Sequence, residues 1–141
     1  DRVGNYGPSL FSGAQGAGVA TAQSRTSDTY GDLTTVGPSC TVNISASGRL
    51  LVGISCKITT SSSADGGMMA YDSTGSNAFE PIDATALVYF PSQTDAFLQA
   101  SGVTPYEGLT PGVTTITAKY KTVNGTNSAT FANRVIWALP F

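Results

Sequence analysis

The chain contains no histidine. That excludes Ser-His-Asp and Cys-His catalysis, in which an imidazole is the base. Cysteine occurs only at Cys40 and Cys56. Without histidine these two are too few to complete the four ligands of a zinc site, and neither has an imidazole to activate its thiol. Charge is also scarce: Asp, Glu, Lys and Arg make up 11% of the residues, against roughly a quarter in ordinary domains. The seven basic residues are scattered and the net charge is −2. Nucleic acid is therefore not an expected partner, because phosphate binding needs clustered Lys and Arg. No apolar run reaches the roughly 18 residues that a membrane-spanning helix needs, so no membrane partner is expected either. The chain shows no basic-then-apolar leader pattern, and its start at Asp1 without Met reads as a processed chain, a trimmed one or a fragment.

What the chain does have is Ser and Thr, roughly a quarter of its residues, with sixteen Gly and seven Pro spread throughout. Thr suits strands, and Ser, Gly and Pro suit turns. At 141 residues there is enough material for one domain with a real core. The expectation is a single all-β antiparallel β-sandwich, jelly-roll-like, over residues 19–141, preceded by an extended arm over residues 1–18.

Residues 38–60 carry the strongest pattern. Cys40, Val42 and Ile44 alternate with Thr41, Asn43 and Ser45, and Leu50, Val52, Ile54, Cys56 and Ile58 share a face opposite Arg49, Gly53, Ser55 and Lys57. A period of two is the strand signature, since successive side chains leave a strand on opposite faces. Ala46-Ser47-Gly48 between the runs predicts a β-hairpin. In that hairpin Cys40 lies opposite Cys56, with cross-strand Cβ atoms about 4.5–5.5 Å apart, where a disulfide needs roughly 3.5–4.5 Å. The pair reads equally as a disulfide or as two small buried thiols.

Elsewhere, weak alternation predicts a first strand over residues 18–28, and Met68–Tyr71 a short one. The run Ala86–Phe90, closed by Pro91, predicts a strand buried on both faces. Residues 96–100 read as a helical turn or a short strand. Residues 113–123 predict a strand with Ile116, Ala118 and Tyr120 inward, followed by a turn at Asn124-Gly125. In the terminal segment both alternating sets are apolar: Val135, Trp137 and Leu139 on one face, Ile136 and Ala138 on the other. A two-layer sandwich covers only one face of a strand, so Val135, Ile136, Trp137 and Leu139 are the candidate subunit interface of a homo-oligomer. Residues 1–18 show no period. Their isolated Val3, Tyr6, Leu10 and Phe11 fit a frayed terminus or, preferred, an anchoring arm.

The nine carboxylates show no spacing that singles out an acid–base pair, and most sit beside turn residues. Calcium between Asp65, Asp72 and Asp83 is a weaker option without a ligand-spaced loop. No enzyme, cofactor or metal is expected.

The succession TSDTYGDLTTVGPSCTVNISASGRLLVGIS, then GLTPGVTTITAKYKT, then SATFANRVIWALPF, resembles a recurring β-sandwich module in virion proteins of tailed phages of actinobacteria. The likeness rests on the Y-x-D-L…GP lead-in, the L-T-P-G turn before a Thr-rich strand, and the N-R before a terminal apolar strand. It covers roughly Ser24 to Phe141. In that family the positions of Cys40 and Cys56 are more usually aliphatic. The resemblance implies a structural protein on the virion surface, a capsid decoration or head-fibre protein or the tip of a minor tail protein, often trimeric, in contact with other virion proteins. The alternative is a tail-fibre tip or carbohydrate-binding adhesin recognising host surface glycans, for which Tyr106, in the segment VTPYEGL, is the candidate exposed aromatic.

Overall fold

A computed structural model describes residues 13–141, which form nine strands and one short 3-10 turn, Asp83–Thr85. The strands are β1 (Gln15–Val19), β2 (Gln23–Arg25), β3 (Ser39–Ile44), β4 (Leu50–Thr60), β5 (Gly67–Gly75), β6 (Leu87–Tyr89), β7 (Phe97–Tyr106), β8 (Gly112–Thr122) and β9 (Ala129–Pro140). They build two antiparallel sheets. One runs β1-β9-β4-β7, with β2 also paired to β9; the other runs β3-β8-β5-β6. The architecture is an all-β jelly roll, as the composition implied.

The alternating runs face inward as read. Val42 and Ile44 from β3, Leu50, Val52, Ile54, Cys56 and Ile58 from β4, Ile116 and Tyr120 from β8, and Phe131 and Ile136 from β9 meet in one core. Each large apolar side chain sealed there contributes roughly 1.5–3 kcal/mol. The Thr-rich outer face of the second sheet is stitched across strands, with the hydroxyls of Thr41 and Thr115 2.8 Å apart and Ser39 donating to Thr117 at 2.9 Å.

Three expectations need correction. β3 and β4 are not a hairpin: β3 pairs with β8, while β4 pairs with β7 and β9 in the opposite sheet. The turn at Gly48 (φ 64°) carries the chain from one sheet to the other, and the Leu109 N–H bonds the Gly48 carbonyl at 3.0 Å. The strand expected over residues 18–28 starts earlier, so Gln15–Val19 belongs to the sandwich and not to the arm, and it is broken between β1 and β2. Ala86–Phe90 is not buried on both faces; β6 is a three-residue edge strand with Val88 and Phe90 half exposed. Of the two readings of residues 96–100 the strand holds, with residues 97–100 opening the ten-residue β7.

Buried charge closes the loops. Asp65 is buried after β4, and its carboxylate accepts backbone N–H bonds from Gly66, Asn124, Thr126 and Asn127 at 2.8–3.2 Å. Burial alone would raise its pKa, but the four donors outweigh it and hold the group below its ordinary value. Arg134, fully buried on β9, donates to the carbonyls of Thr35 and Gly37 and to Gln23 Oε1, and its guanidinium lies 5.3 Å from the centre of the Tyr120 ring.

Asp65→Ala is expected to destabilise the fold by about 2–4 kcal/mol, since it leaves several donors unpaired. A depressed carboxylate contributes fully above its ordinary pKa of 3.8 and loses that contribution as pH falls through the lower folded value. Urea midpoints between pH 7 and pH 3 should fall less steeply for Asp65→Asn than for the wild type; equal slopes would refute the role given to this carboxylate.

Candidate interaction face

The outer face of the first sheet holds the surface that the terminal strand foreshadowed. Along β9, Phe131, Arg134, Ile136 and Ala138 point into the core, while Val135, Trp137 and Leu139 point outward. Of the four interface candidates, Ile136 is thus a core residue, fully buried between the sheets. The other three stand together on one surface.

Trp137 is at its centre. Across the sheet it aligns with Gly16 on β1 and Gly53 on β4, and Gly53 in turn with Val103 on β7. Any Cβ at position 53 would overlap Cε2, Nε1 and Cζ2 of the indole. The ring therefore lies across β4 in the space that the missing side chain leaves. In neighbouring rows Leu51 aligns with Leu139 and Pro105, and Ser55 with Val135 and Ser101. Val103 is 56% exposed and Val135 38%. The charged groups of β4 and its surroundings stand at the two ends of this strip: Arg49 with Glu107 at one end, and Lys57, over the Phe97 ring, at the other. Beside Val135, a depression of about 290 Å³ is lined by Gly18, Val19, Ala20, Asn133, Arg134 and Val135. It lies where Asn133 (φ 49°) bulges β9 out of register with β4.

The other candidate residues are dispersed. Val3, Tyr6, Leu10 and Phe11, the candidate anchoring arm, lie outside the described residues. Tyr106 is not on an exposed loop but ends β7, half buried, stacked on Phe79 at 5.1 Å and with its hydroxyl 2.8 Å from that of Tyr71. Cys40 and Cys56 lie on different strands of opposing sheets, and both thiols are free and buried. Burial pushes Cys40 up to about 11 and Cys56 up to about 12, the latter despite the nearby Arg134. The acidic residues weighed for calcium are each engaged: Asp65 by N–H donors, Asp72 by Lys119 at 3.5 Å, and Asp83 by Lys121 at 2.8 Å. N–H donors repel a cation, and among the described residues no group of three or more metal-ligating side chains forms. No helix of the described residues is long and apolar enough to cross a membrane.

No family model and no curated protein matches the chain. Solved structures do. Eiger TNF from S. frugiperda superposes with a TM-score of 0.54 at 9% identity, covering 91% of each chain. Murine APRIL gives 0.55 at 10%, covering 92% of this chain and 98% of that one. The globular domain of zebrafish complement 1qA gives 0.51 at 12%, covering 92% and 97%. The likeness is one of fold. At such low identity it carries the jelly roll and nothing about residues or partners.

Sequence reading found Trp137, Val135 and Leu139 but missed Leu51, Val103 and Pro105. Leu51 lies between Leu50 and Val52 in an unbroken apolar run that hides its outward face, and β7 alternates too weakly through Ala100, Ser101 and Gly102 to show a face.

Two tests follow from this geometry. A colorimetric thiol reagent at pH 8 should find no reactive cysteine in the native protein and two after unfolding; fewer than two after unfolding would mean a bridge. Gly53→Val should displace the indole at a cost of about 1–3 kcal/mol and raise acrylamide quenching of Trp137, the chain's single tryptophan. Unchanged quenching would contradict the Gly53–Trp137 contact.

Proposed function

We propose that this chain is a non-catalytic structural protein of the virion surface, of the capsid-decoration or head-fibre kind, and that it self-associates through the outer face of its β1-β9-β4-β7 sheet. The observation that carries the reading is the apolar strip formed by Trp137, Val135, Leu139, Leu51 and Val103, which no other described element covers. A strip of this kind on a chain with few charges supports burial against another subunit. The resemblance of the Y-x-D-L…GP, L-T-P-G and N-R segments to phage modules supports the virion setting, and a homotrimer is the assembly that this resemblance suggests. Other virion proteins would be the remaining partners.

The glycan-binding alternative has less support. Its aromatic candidate, Tyr106, is committed to Phe79 and Tyr71 within the sandwich, which leaves Trp137 and the exposed Phe90 and Phe97 as aromatics a sugar could stack on.

Light scattering after size exclusion tests the proposal. The wild type should have a mass that is a small multiple of 14.4 kDa. Val135→Lys should be a monomer, because an unpaired ammonium would be buried at the contact. A wild type that stays monomeric at tens of micromolar would sink the self-association reading and turn attention to glycan screening, with Trp137 fluorescence as the reporter.

A further inference from the structure

We infer that the open edge of β7 is a second contact surface, and that its partner is β7 of another copy, paired antiparallel across a two-fold axis. This goes beyond the face contact proposed above and uses a different surface. β7 ends the first sheet and, among the described residues, pairs only with β4. The other strands that end a sheet are shorter, five residues in β1, six in β3 and three in β6, against ten in β7. Edge strands are ordinarily shielded by brevity or by charge. FLQASGVTPY has neither.

The groups that face the open edge follow from the ladder. In an antiparallel strand the N–H and C=O of one residue point to one side, and those of the next residue to the other. The Phe141 N–H bonds the Arg49 carbonyl at 3.2 Å, so Arg49 faces the β9 side and Leu50, next along, faces Tyr106 on β7. The β4–β7 register is unbroken from Leu50 to Thr59, which commits the even-numbered residues of β7 to β4. At the far end the Thr60 carbonyl also turns to this side and accepts from the Asp95 N–H at 3.1 Å. Phe97, Gln99, Ser101, Val103 and Pro105 therefore direct their backbone groups outward. Pro105, which has no N–H, stands where β4 requires none.

One register satisfies these groups together. With Phe97 opposite Val103 of the second copy, and Gln99 opposite its Ser101, every outward N–H meets a carbonyl. Pro105 then falls beyond the second copy's strand, which turns off at Asp95 (φ 62°). Sliding the pair either way brings Pro105 in or leaves Val103 out. The side chains agree. The odd-numbered residues share the outer face, where Val103 aligns with Gly53 and Phe97 lies under the Lys57 ammonium. Phe97 is 63% exposed and Val103 56%, and this register sets them against each other, an aromatic with a β-branched residue. Ala100, small and uncharged, meets its own copy on the axis, and no like charges are opposed along the strand. This match of the strand to itself selects a second copy as the occupant.

One pair of strands buries little apolar surface, so between single chains the contact is weak, with a dissociation constant on the order of a millimolar. The test therefore uses Val135→Lys, which removes the strip contact. Its mass by light scattering should be that of one chain at tens of micromolar and should rise toward two chains, and no further, as the concentration passes a millimolar. Adding Ser101→Pro, which deletes an outward N–H, should hold it at one chain. Val103→Lys should do the same, because the new ammonium meets Lys57 of the second copy, whereas Val103→Glu should pair at least as well as the parent. A merely structural role for Val103 predicts no split by sign of charge. Disulfide trapping reads the register: a mixture of Gln99→Cys and Ser101→Cys chains should cross-link, and each alone far less, Cys40 and Cys56 being buried. A parent that stays one chain past a millimolar, pairing that survives Ser101→Pro, or equal effects of Lys and Glu at position 103 overturns the inference. Cross-linking as strong in either chain alone overturns the register. Melting temperatures within a few degrees of the parent show that loss of pairing is not loss of fold, and the mass of the wild type at tens of micromolar decides the strip contact separately.

Discussion

Strand β4 is hydrogen-bonded along both edges, to β7 and to β9 over nearly its whole length. That double pairing places it at the middle of one sheet, so each of its faces has a definite task. Leu50, Val52, Ile54, Cys56 and Ile58 are sealed against the opposite sheet. On the other face Leu51, Gly53 and Ser55 leave a shallow channel, and Trp137 of β9 lies in it. The flatness of the outer strip depends on Gly53 having no side chain. A branched residue there would lift the indole off the sheet and turn a flat surface into a ridge.

The few charges divide between closing the fold and keeping clear of the strip. Asp65 gathers N–H groups of the 123–127 turn, and Arg134 gathers carbonyls of the segment that precedes β3. Neither buried charge has an oppositely charged partner among the described residues. Each is neutralised by backbone dipoles, which suits sites where a loop must be fixed and where a lone ion would be costly to bury. On the outer face of the second sheet, Lys119 and Lys121 hold Asp32, Asp72 and Asp83 and clasp the loop around Tyr30 to β8, to which Gly31 is also bridged. With these commitments made, little charge remains for the first sheet's outer face, and what remains stands at its ends.

The parts of this arrangement that could be read in advance were those in which one residue face is buried and the other is wet. β3 and β8 show this alternation without interruption and β4 breaks it at Leu51, and the inward residues of all three are legible in the sequence. β9 was legible for a different reason: with both sets apolar, one had to be core and the other had to need cover. Which was which could not be read, so Ile136 was placed with its neighbours on the interface. β7 was obscured by Ala100, Ser101 and Gly102, small residues that suit a strand with one exposed edge but carry no periodic signal. β6 was misread because a short apolar run looks the same whether it lies at the centre of a sheet or at its border.

The amino-acid order alone determined the class of the protein, the inward residues of its main strands and the outward apolar character of its last strand. These follow from side chains alternating across a pleated backbone, a local property. Hydrogen-bonding partners are not local. Only the tertiary structure decided that β3 and β4 belong to opposite sheets, which separates Cys40 from Cys56, because a strand's pattern specifies the face it buries and is silent about the strand beside it. The same is true of Trp137 settling on Gly53, a contact between residues far apart in the chain that exists only once β9 and β4 are in register.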